Sequence, residues 1–151
     1  MIEIASLSDF IEKYLKELLE EAEKDFIELQ RRDLAEAFRC VPSQINYVLQ
    51  TRFTPEKGYL VESRRGGGGY IRIVRLSTDP NWEIVKEKLL TSVTKEEAIA
   101  ILDLLLAEEV LLEDEARLIG LILKQEEDNL NDDLRALLMR SLFILIENLR
   151  R

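Results

Sequence analysis

The sequence of 151 residues contains no histidine and a single cysteine, Cys40. Zinc sites draw mainly on cysteine and histidine, so a zinc site is disfavoured. Ser/His/Asp and Cys/His nucleophile systems need a histidine base and are therefore excluded. A single cysteine also excludes an internal disulfide. We therefore expect no catalytic residue, no metal site and no cofactor. We interpret Cys40 as a small packing residue rather than a redox switch.

Long apolar runs are also missing. No segment approaches the ~20 consecutive apolar residues that a membrane-spanning helix needs. The first residues, Met1-Ile2-Glu3-Ile4, lack the basic start and apolar core of a signal peptide. With 46% hydrophobic and 34% charged residues, the composition is that of a globular protein. These features predict a soluble cytoplasmic protein with no membrane partner.

The net charge of −9 is unevenly distributed. Residues 1–29 contain three basic and nine acidic residues, whereas residues 30–76 contain nine basic and four acidic ones. Residues 77–151 return to an acidic balance, with nine basic and seventeen acidic residues. Positive charge is thus concentrated in one central segment, which is the pattern expected of a nucleic-acid-binding region.

The central segment contains a run of four glycines, preceded by two arginines. This stretch consists of Arg64, Arg65, Gly66, Gly67, Gly68 and Gly69. Residues 59–63 and 70–76 on either side have strand character, so the stretch predicts a β-hairpin with a slender basic tip. Such a tip fits the DNA minor groove, where phosphate potential over A·T-rich sequence attracts arginine.

Other functions of the glycine run are less consistent with its surroundings. A phosphate-binding P-loop or a dinucleotide fingerprint needs a helix directly after the glycines, whereas residues 70–76 alternate like a strand. A mobile loop without function remains an alternative, although plain mobility does not require paired arginines.

The periodicity before the hairpin predicts three helices. Apolar spacings of three and four predict the first at residues 7–22, with Ser6 or Ser8 as N-cap. A short strand at 26–29 and a second helix at 30–38 follow. After a turn at 39–41, a third helix begins at Pro42 and ends near Arg52. Helix, short turn, helix and basic hairpin is the order of a winged helix-turn-helix.

The third helix has an apolar stripe of Ile45, Val48 and Leu49. The remaining side chains are predicted to lie outside: Ser43, Gln44, Asn46, Tyr47, Gln50, Thr51 and Arg52. Glutamine and asparagine can pair with adenine, arginine with guanine or phosphate, and threonine or tyrosine with either. This face has no acid and no lysine, which favours base readout over an ordinary solvated face.

Residues 77–80 (Ser-Thr-Asp-Pro) interrupt the pattern and predict a boundary. We expect a winged helix-turn-helix domain at residues 1–76 and a helical dimerisation or regulatory domain at residues 77–151. Helices are predicted at 82–90, at 95–107 after a Thr94/Glu97 capping box, at 113–124 and at 132–149. Acidic clusters near their ends are interpreted as helix caps, not as catalytic or metal-binding carboxylates.

The last predicted helix is apolar around more than one face, which indicates burial beyond the needs of its own small domain. Homodimerisation is the expected explanation. The candidate interface residues are Leu138, Met139, Leu142, Phe143 and Ile146.

Two motifs closely resemble the CtsR family, which represses class III stress genes in low-GC Gram-positive bacteria. They are Val-Pro-Ser-Gln-Ile-Asn-Tyr-Val at 41–48 and Arg-Gly-Gly-Gly-Gly-Tyr-Ile-Arg-Ile at 65–73. The resemblance is dense across residues 8–76 and looser beyond. It implies a mainly helical homodimer with a small β-wing. It also implies binding to a direct heptanucleotide repeat in double-stranded operators ahead of chaperone and Clp protease genes.

The resemblance also implies roles for individual residues. Family recognition-helix contacts fall on Gln44, Asn46, Tyr47, Thr51 and Arg52. The family wing falls on Arg65 and residues 66–69, with Arg65 entering the minor groove. The family's glycine loop is credited with sensing heat, and a protein-arginine kinase with its activator acts on the wing arginine in some relatives. Phosphorylation of Arg65 would reverse its attraction to DNA. The Clp protease machinery is a further implied partner, and arginine at both 64 and 65 leaves open which one dominates.

Two other classes of function remain as alternatives. An RNA-binding module is disfavoured, because A-form RNA closes its major groove to a Gln/Asn-rich helix. A protein-interaction adaptor without specific DNA readout would not need the basic central segment.

Overall fold

The computed structural model describes residues 6–64, 69–76, 80–125 and 130–149, with Arg64 described by its backbone alone. The chain divides into two compact units, Met1–Ser77 and Thr78–Arg151. The fold is mainly helical, with one small antiparallel sheet.

In its described residues, the first unit combines three α-helices and one short 3-10 helix with three strands. In chain order these are α1 (Leu7–Glu21), β1 (Phe26–Gln30), α2 (Arg31–Ala37), α3 (Pro42–Arg52), a short 3-10 helix (Pro55–Lys57), β2 (Tyr59–Arg64) and β3 (Tyr70–Arg75). All the predicted helices and both strands of the predicted hairpin are confirmed to within a few residues. This is the element order of a winged helix-turn-helix.

Helix α1 begins with a capping box at Ser6, one of the two predicted N-caps. The Ser6 hydroxyl accepts from the Asp9 amide at 3.2 Å, and the Ser6 amide donates to the Asp9 carboxylate at 3.0 Å. Ile11, Leu15 and Leu19 are buried because their spacing of four places them along one line of the helix. Other apolar residues toward the start of α1, such as Phe10, are exposed.

The sheet has strand order β1-β3-β2. Both pairings are antiparallel, with Ile73 lying between Ile27 and Val61. The central strand β3 is paired along both edges, and side chains on both of its faces are buried. Ile71 and Ile73 join the helical core on one face, and Arg72 is buried on the opposite face.

Arg72 tolerates burial because it has a charged and an aromatic partner. Its Nη2 lies 2.8 Å from Oε1 of Glu28, and its guanidinium carbon lies 5.2 Å from the centre of the Phe26 ring. A buried guanidinium without such contacts would destabilise the strand.

The second unit contains four helices among its described residues: α4 (Trp82–Lys88), α5 (Lys95–Ala107), α6 (Glu113–Leu123) and α7 (Asp132–Leu149). The capping box predicted at Thr94 and Glu97 is confirmed, with both reciprocal hydrogen bonds present. Glu97 also lies 3.1 Å from the buried Nζ of Lys88, which ties α5 to α4. No helix in the described part of the chain combines the length and apolarity needed to cross a bilayer.

Two of the five predicted dimer-interface residues on α7 are buried within the chain. Met139 is 0% exposed and Phe143 6% exposed in the single chain, so these two lie in the interior and do not offer a free surface. The ring of Phe143 packs against Trp82, with centroids 5.9 Å apart. Leu138 is exposed, and Leu142 and Ile146 are half-buried.

Candidate nucleic-acid interface

Helix α3 lies with one side against the rest of its unit and the other side open. Ile45, Val48 and Leu49 are buried, as the apolar stripe predicts, and Phe53 closes the C-terminal end from within the core. Pro42 occupies the first turn, where its missing N–H interrupts no helical hydrogen bond. Packing against α1 and α2 fixes this orientation.

Four predicted readout residues of α3 lie on the open side: Ser43, Asn46, Tyr47 and Gln50 are exposed. Asn46 and Gln50 are one turn apart, so their amide groups lie on the same face. Tyr47 lies beside them with more than half of its surface accessible. This face offers amide and hydroxyl groups without acidic side chains, which suits contact with base edges.

Gln44 and Arg52 differ from the prediction that they lie outside, because both are partly buried and bind α1. The Gln44 amide nitrogen donates to the Ser8 hydroxyl at 2.8 Å. Arg52 Nη1 donates to Asp9 at 2.9 Å and to Glu12 at 2.6 Å. These contacts fasten both ends of α3 to α1.

Thr51 is also partly buried. Its hydroxyl donates to the Tyr47 carbonyl at 2.7 Å, and Lys57 donates to the Thr51 carbonyl at 3.0 Å. A cation at this position complements the carbonyl groups at the C-terminal end of α3. Thr51 is therefore held by hydrogen bonds at the C-terminal end of α3, and it is not the freely exposed DNA-contact residue that was predicted.

Arg52, Asp9 and Glu12 form a cluster of charged side chains, called here the Arg52 cluster. Each of the three has a shifted pKa. The pKa of Asp9 is lowered, first by the hydrogen bond from the Ser6 backbone and then by Arg52. The pKa of Glu12 is lowered mainly by its hydrogen bond with Lys16, with Arg52 contributing. The pKa of Arg52 is raised by Asp9 and then by Glu12. All of these groups stay charged at neutral pH.

The turn between α2 and α3 places one cation that sequence reasoning did not single out. Arg39 has φ of 52°, in the left-handed region, and its side chain is exposed directly before α3. The turn closes through the Cys40 amide, which donates to the Ala35 carbonyl at 3.0 Å. In the sequence, Arg39 is only an arginine in a short turn. Such residues are common at protein surfaces, so no pattern marked it as a candidate contact.

The wing is formed by β2 and β3, which pair as far as Arg64 and Tyr70. Of the predicted tip residues, Arg65, Gly66, Gly67 and Gly68 lie outside the described part of the chain, as does the side chain of Arg64. Gly69 has φ of 71°, a conformation that side-chain-bearing residues rarely adopt. This glycine returns the chain into β3.

The positive charge of the central segment is partly neutralised within the first unit. Arg52, Arg72 and Arg75 form ion pairs with acids of residues 1–29. The excess of basic residues at 30–76 therefore overstates the charge available to a nucleic acid. Exposed cations of the helical part include Arg32 and Arg39.

Among the residues that the structure describes, no group of three or more histidine, cysteine, aspartate and glutamate side chains could hold a metal ion.

The second unit has an exposed apolar surface on α6 and α7. Its exposed members include Leu118, Leu121, Ile122, Leu137, Leu138 and Leu145. Between the two helices lies a groove of about 220 Å³ lined mainly by aliphatic side chains. A surface of this kind indicates a protein contact.

Comparison with known proteins adds three kinds of similarity. A family model described as the CtsR N-terminal HTH domain matches residues 6–77. Transcriptional regulator CtsR of Staphylococcus haemolyticus (strain JCSC1435) is 41% identical over 148 residues, covering 93% of this chain and 97% of that protein. The protein of the same name from Geobacillus stearothermophilus is 38% identical over 144 residues, covering 91% and 94%. A crystal structure of CtsR in complex with a 26bp DNA duplex matches with 37% identity and a TM-score of 0.47, covering 94% of this chain and 99% of that one.

Proposed function

Because this chain belongs to the CtsR family of transcriptional regulators, we propose that it is a repressor that binds double-stranded operator DNA in a sequence-specific way. The family consists of regulators and not of enzymes. The observation that carries the proposal is the open face of α3, where Ser43, Asn46, Tyr47 and Gln50 are exposed while the apolar stripe is buried.

In the proposed complex, α3 enters the major groove and the wing enters the adjacent minor groove. Asn46 and Gln50 suit bidentate pairing with adenine. Arg32 lies in the first turn of α2 and Arg39 in the turn before α3. Both are exposed and suit contact with phosphates, which position the protein without reading sequence. Gln44 and Arg52 hold α3 against α1 in the free protein, so their use on DNA requires exchange of those bonds.

The proposed wing contacts are made by Arg64, Arg65 and the glycines at 66–69. An arginine in a narrow minor groove is attracted by the phosphate potential on both sides. Phosphorylation of Arg65 by a protein-arginine kinase with its activator would place negative charge there and release the operator. A loop of consecutive glycines also loses order readily on warming, which supports heat as a second release signal.

The proposed targets are operators with a direct heptad repeat ahead of heat-shock, chaperone and Clp protease genes. We place the protein in the cytoplasm, associated with the nucleoid when bound to DNA, and name the Clp protease machinery as a further partner. Homodimerisation through α7 and the exposed surface of α6 would bring two α3 helices to one operator, which raises specificity.

Fluorescence anisotropy tests the proposal. A labelled duplex carrying the heptad repeat is compared with a scrambled duplex at two temperatures and several salt concentrations. Selective binding that weakens steeply with salt and collapses on mild heating supports a heat-released repressor. Selective binding that is indifferent to heat keeps the repressor and assigns release to Arg65 modification. Equal weak binding to both duplexes rejects the proposal in favour of a protein-interaction adaptor.

A further inference from the structure

Arg31, the first residue of α2, has its guanidinium turned onto the sheet. Its Nη2 donates to the Ser63 hydroxyl in β2 at 3.0 Å, across 32 residues of sequence. Its Nε is buried and has no hydrogen-bond partner in the described part of the chain. The neighbouring Arg32 is exposed instead. Two adjacent arginines of the same helix therefore face different surroundings.

The strand register shows what the Arg31 contact spans. Ser63 lies opposite Ile71, which lies opposite Leu29 in β1. Since Arg31 follows β1 directly, its side chain passes over the central strand to reach β2, a separation of about 10 Å between the outer strands. It thereby links the helix-turn-helix to the strand residue that precedes Arg64.

We propose that Arg31 is a positioning residue for the wing. Helix α2 packs against α3, so the Arg31–Ser63 hydrogen bond fixes the end of β2 relative to the helix that reads the major groove. Loss of the bond leaves the wing in more orientations, and apparent affinity falls by the fraction that remains competent. This role rests on the proposed function, in which α3 and the wing bind one operator together.

The alternative role for Arg31 is a direct phosphate contact. The two roles predict different effects of Ser63 substitution and different salt dependence. A phosphate contact does not need Ser63, and its loss lowers the dependence of log affinity on log salt by about one ion. A positioning contact needs both partners and leaves the salt slope as in the wild type.

A first experiment measures the contact without DNA. Residue-resolved amide hydrogen exchange is recorded for β2 and β3 in the wild type, Arg31→Met, Ser63→Ala and the matched control Arg32→Met. We expect Arg31→Met and Ser63→Ala each to accelerate exchange at the Ser63 end of the hairpin about two- to tenfold, the worth of one hydrogen bond. Arg32→Met should match the wild type, and the global thermal transition should stay in place. Unchanged exchange in Arg31→Met would overturn the proposal.

A second experiment measures operator affinity and salt slope for the same variants and for Arg31→Met/Ser63→Ala. We expect the double variant to lose no more affinity than Arg31→Met alone, with the wild-type salt slope. Additive losses, or a reduced slope in Arg31→Met with no effect of Ser63→Ala, would overturn the positioning role. If the wild type fails to distinguish operator from scrambled DNA, the proposed function is rejected, whereas the exchange experiment still decides whether Arg31 holds β2.

Discussion

Arg52 and Gln44 lie near the two ends of α3, and each binds a residue of α1. Arg52 and its partners Asp9 and Glu12 are partly exposed, so solvent screens the ion pairs and their contribution to stability is modest. Their effect on geometry is more important, because bonds at both ends hold the helix at one angle to α1. Asn46, Tyr47 and Gln50 lie between these two ends and remain exposed, so they are accessible for the proposed contacts with DNA bases.

The Arg52 cluster predicts a dependence of stability on acid. Folding lowers the pKa values of Asp9 and Glu12 below their ordinary values of 3.8 and 4.5. Their stabilisation is therefore fully present above the ordinary values and is lost as pH falls through the lowered folded values. We expect Asp9→Asn to melt below the wild type at pH 7, and the difference to shrink steadily as the pH is lowered below 3.8. Thermal unfolding followed by circular dichroism checks this, and a constant difference at every pH would contradict it.

Asn46 predicts the effect of losing one base contact. We expect Asn46→Ala to weaken operator binding by about 1–3 kcal/mol and to relax base preference, because one bidentate pair is lost. Binding to scrambled DNA should change little. Anisotropy with single-base operator variants measures the effect, and Asn148→Ala, at an exposed position of α7, is the matched control. Undiminished discrimination in Asn46→Ala would remove this residue from the readout.

At the scale of elements, the wing owes its rigid base to the position of β3. As the central strand, β3 pairs with β1 on one side and β2 on the other, and Arg72 and Val74 are buried on the face opposite Ile71 and Ile73. A lone two-stranded hairpin is marginal in water, whereas a third strand and a helical layer stabilise it. The strands β2 and β3, which carry the tip of the wing, are therefore held in place by the sheet and the helical layer.

The wing predicts unequal roles for its paired arginines. We expect Arg65→Ala to weaken binding by about 1–3 kcal/mol, most strongly for A·T-rich operators, because an arginine is drawn into a narrow minor groove. Arg64→Ala, which removes the same charge one residue earlier, shows which of the two dominates. Operator affinity is measured for both on duplexes of differing A·T content. Unchanged affinity in Arg65→Ala would contradict insertion of the wing.

At the scale of the whole molecule, the charges and the apolar surface divide between the two units. The first unit holds the basic segment, with part of its charge paired internally. The second unit is acidic and exposes leucine and isoleucine side chains of α6 and α7. An acidic second unit limits indiscriminate attraction to DNA. Its apolar surface supports the proposal of a homodimer.

The exposed apolar surface of α6 and α7 predicts which substitution weakens the proposed dimer. We expect Leu138→Glu to raise the dimer dissociation constant at least tenfold, since a buried unpaired carboxylate costs more than about 1.4 kcal/mol. Operator affinity should fall with it. Sedimentation velocity measures the assembly, and Leu90→Glu, at a leucine 72% exposed outside α6 and α7, serves as the control. A Leu138→Glu protein that sediments like the wild type would exclude this surface from the interface.

The sequence alone determined the helices, the hairpin and the likeness to one family. Caps such as Ser6 with Asp9 and Thr94 with Glu97 are formed within four residues, and apolar spacing is a local property, so both can be read without the fold. The exposed face of α3 followed from the same periodicity for Asn46 and Gln50.

Only the tertiary structure decided the contacts between distant segments. The pairing of β1 with β3 joins residues 40 to 48 positions apart, and Arg72 is buried on the face of β3 opposite Ile71 and Ile73. Arg52 and Gln44 bind α1, and Met139 lies in the interior, although their helical positions alone were compatible with exposure. Helical or strand periodicity indicates which residues share a face. The neighbour that covers that face depends on the packing of the whole unit.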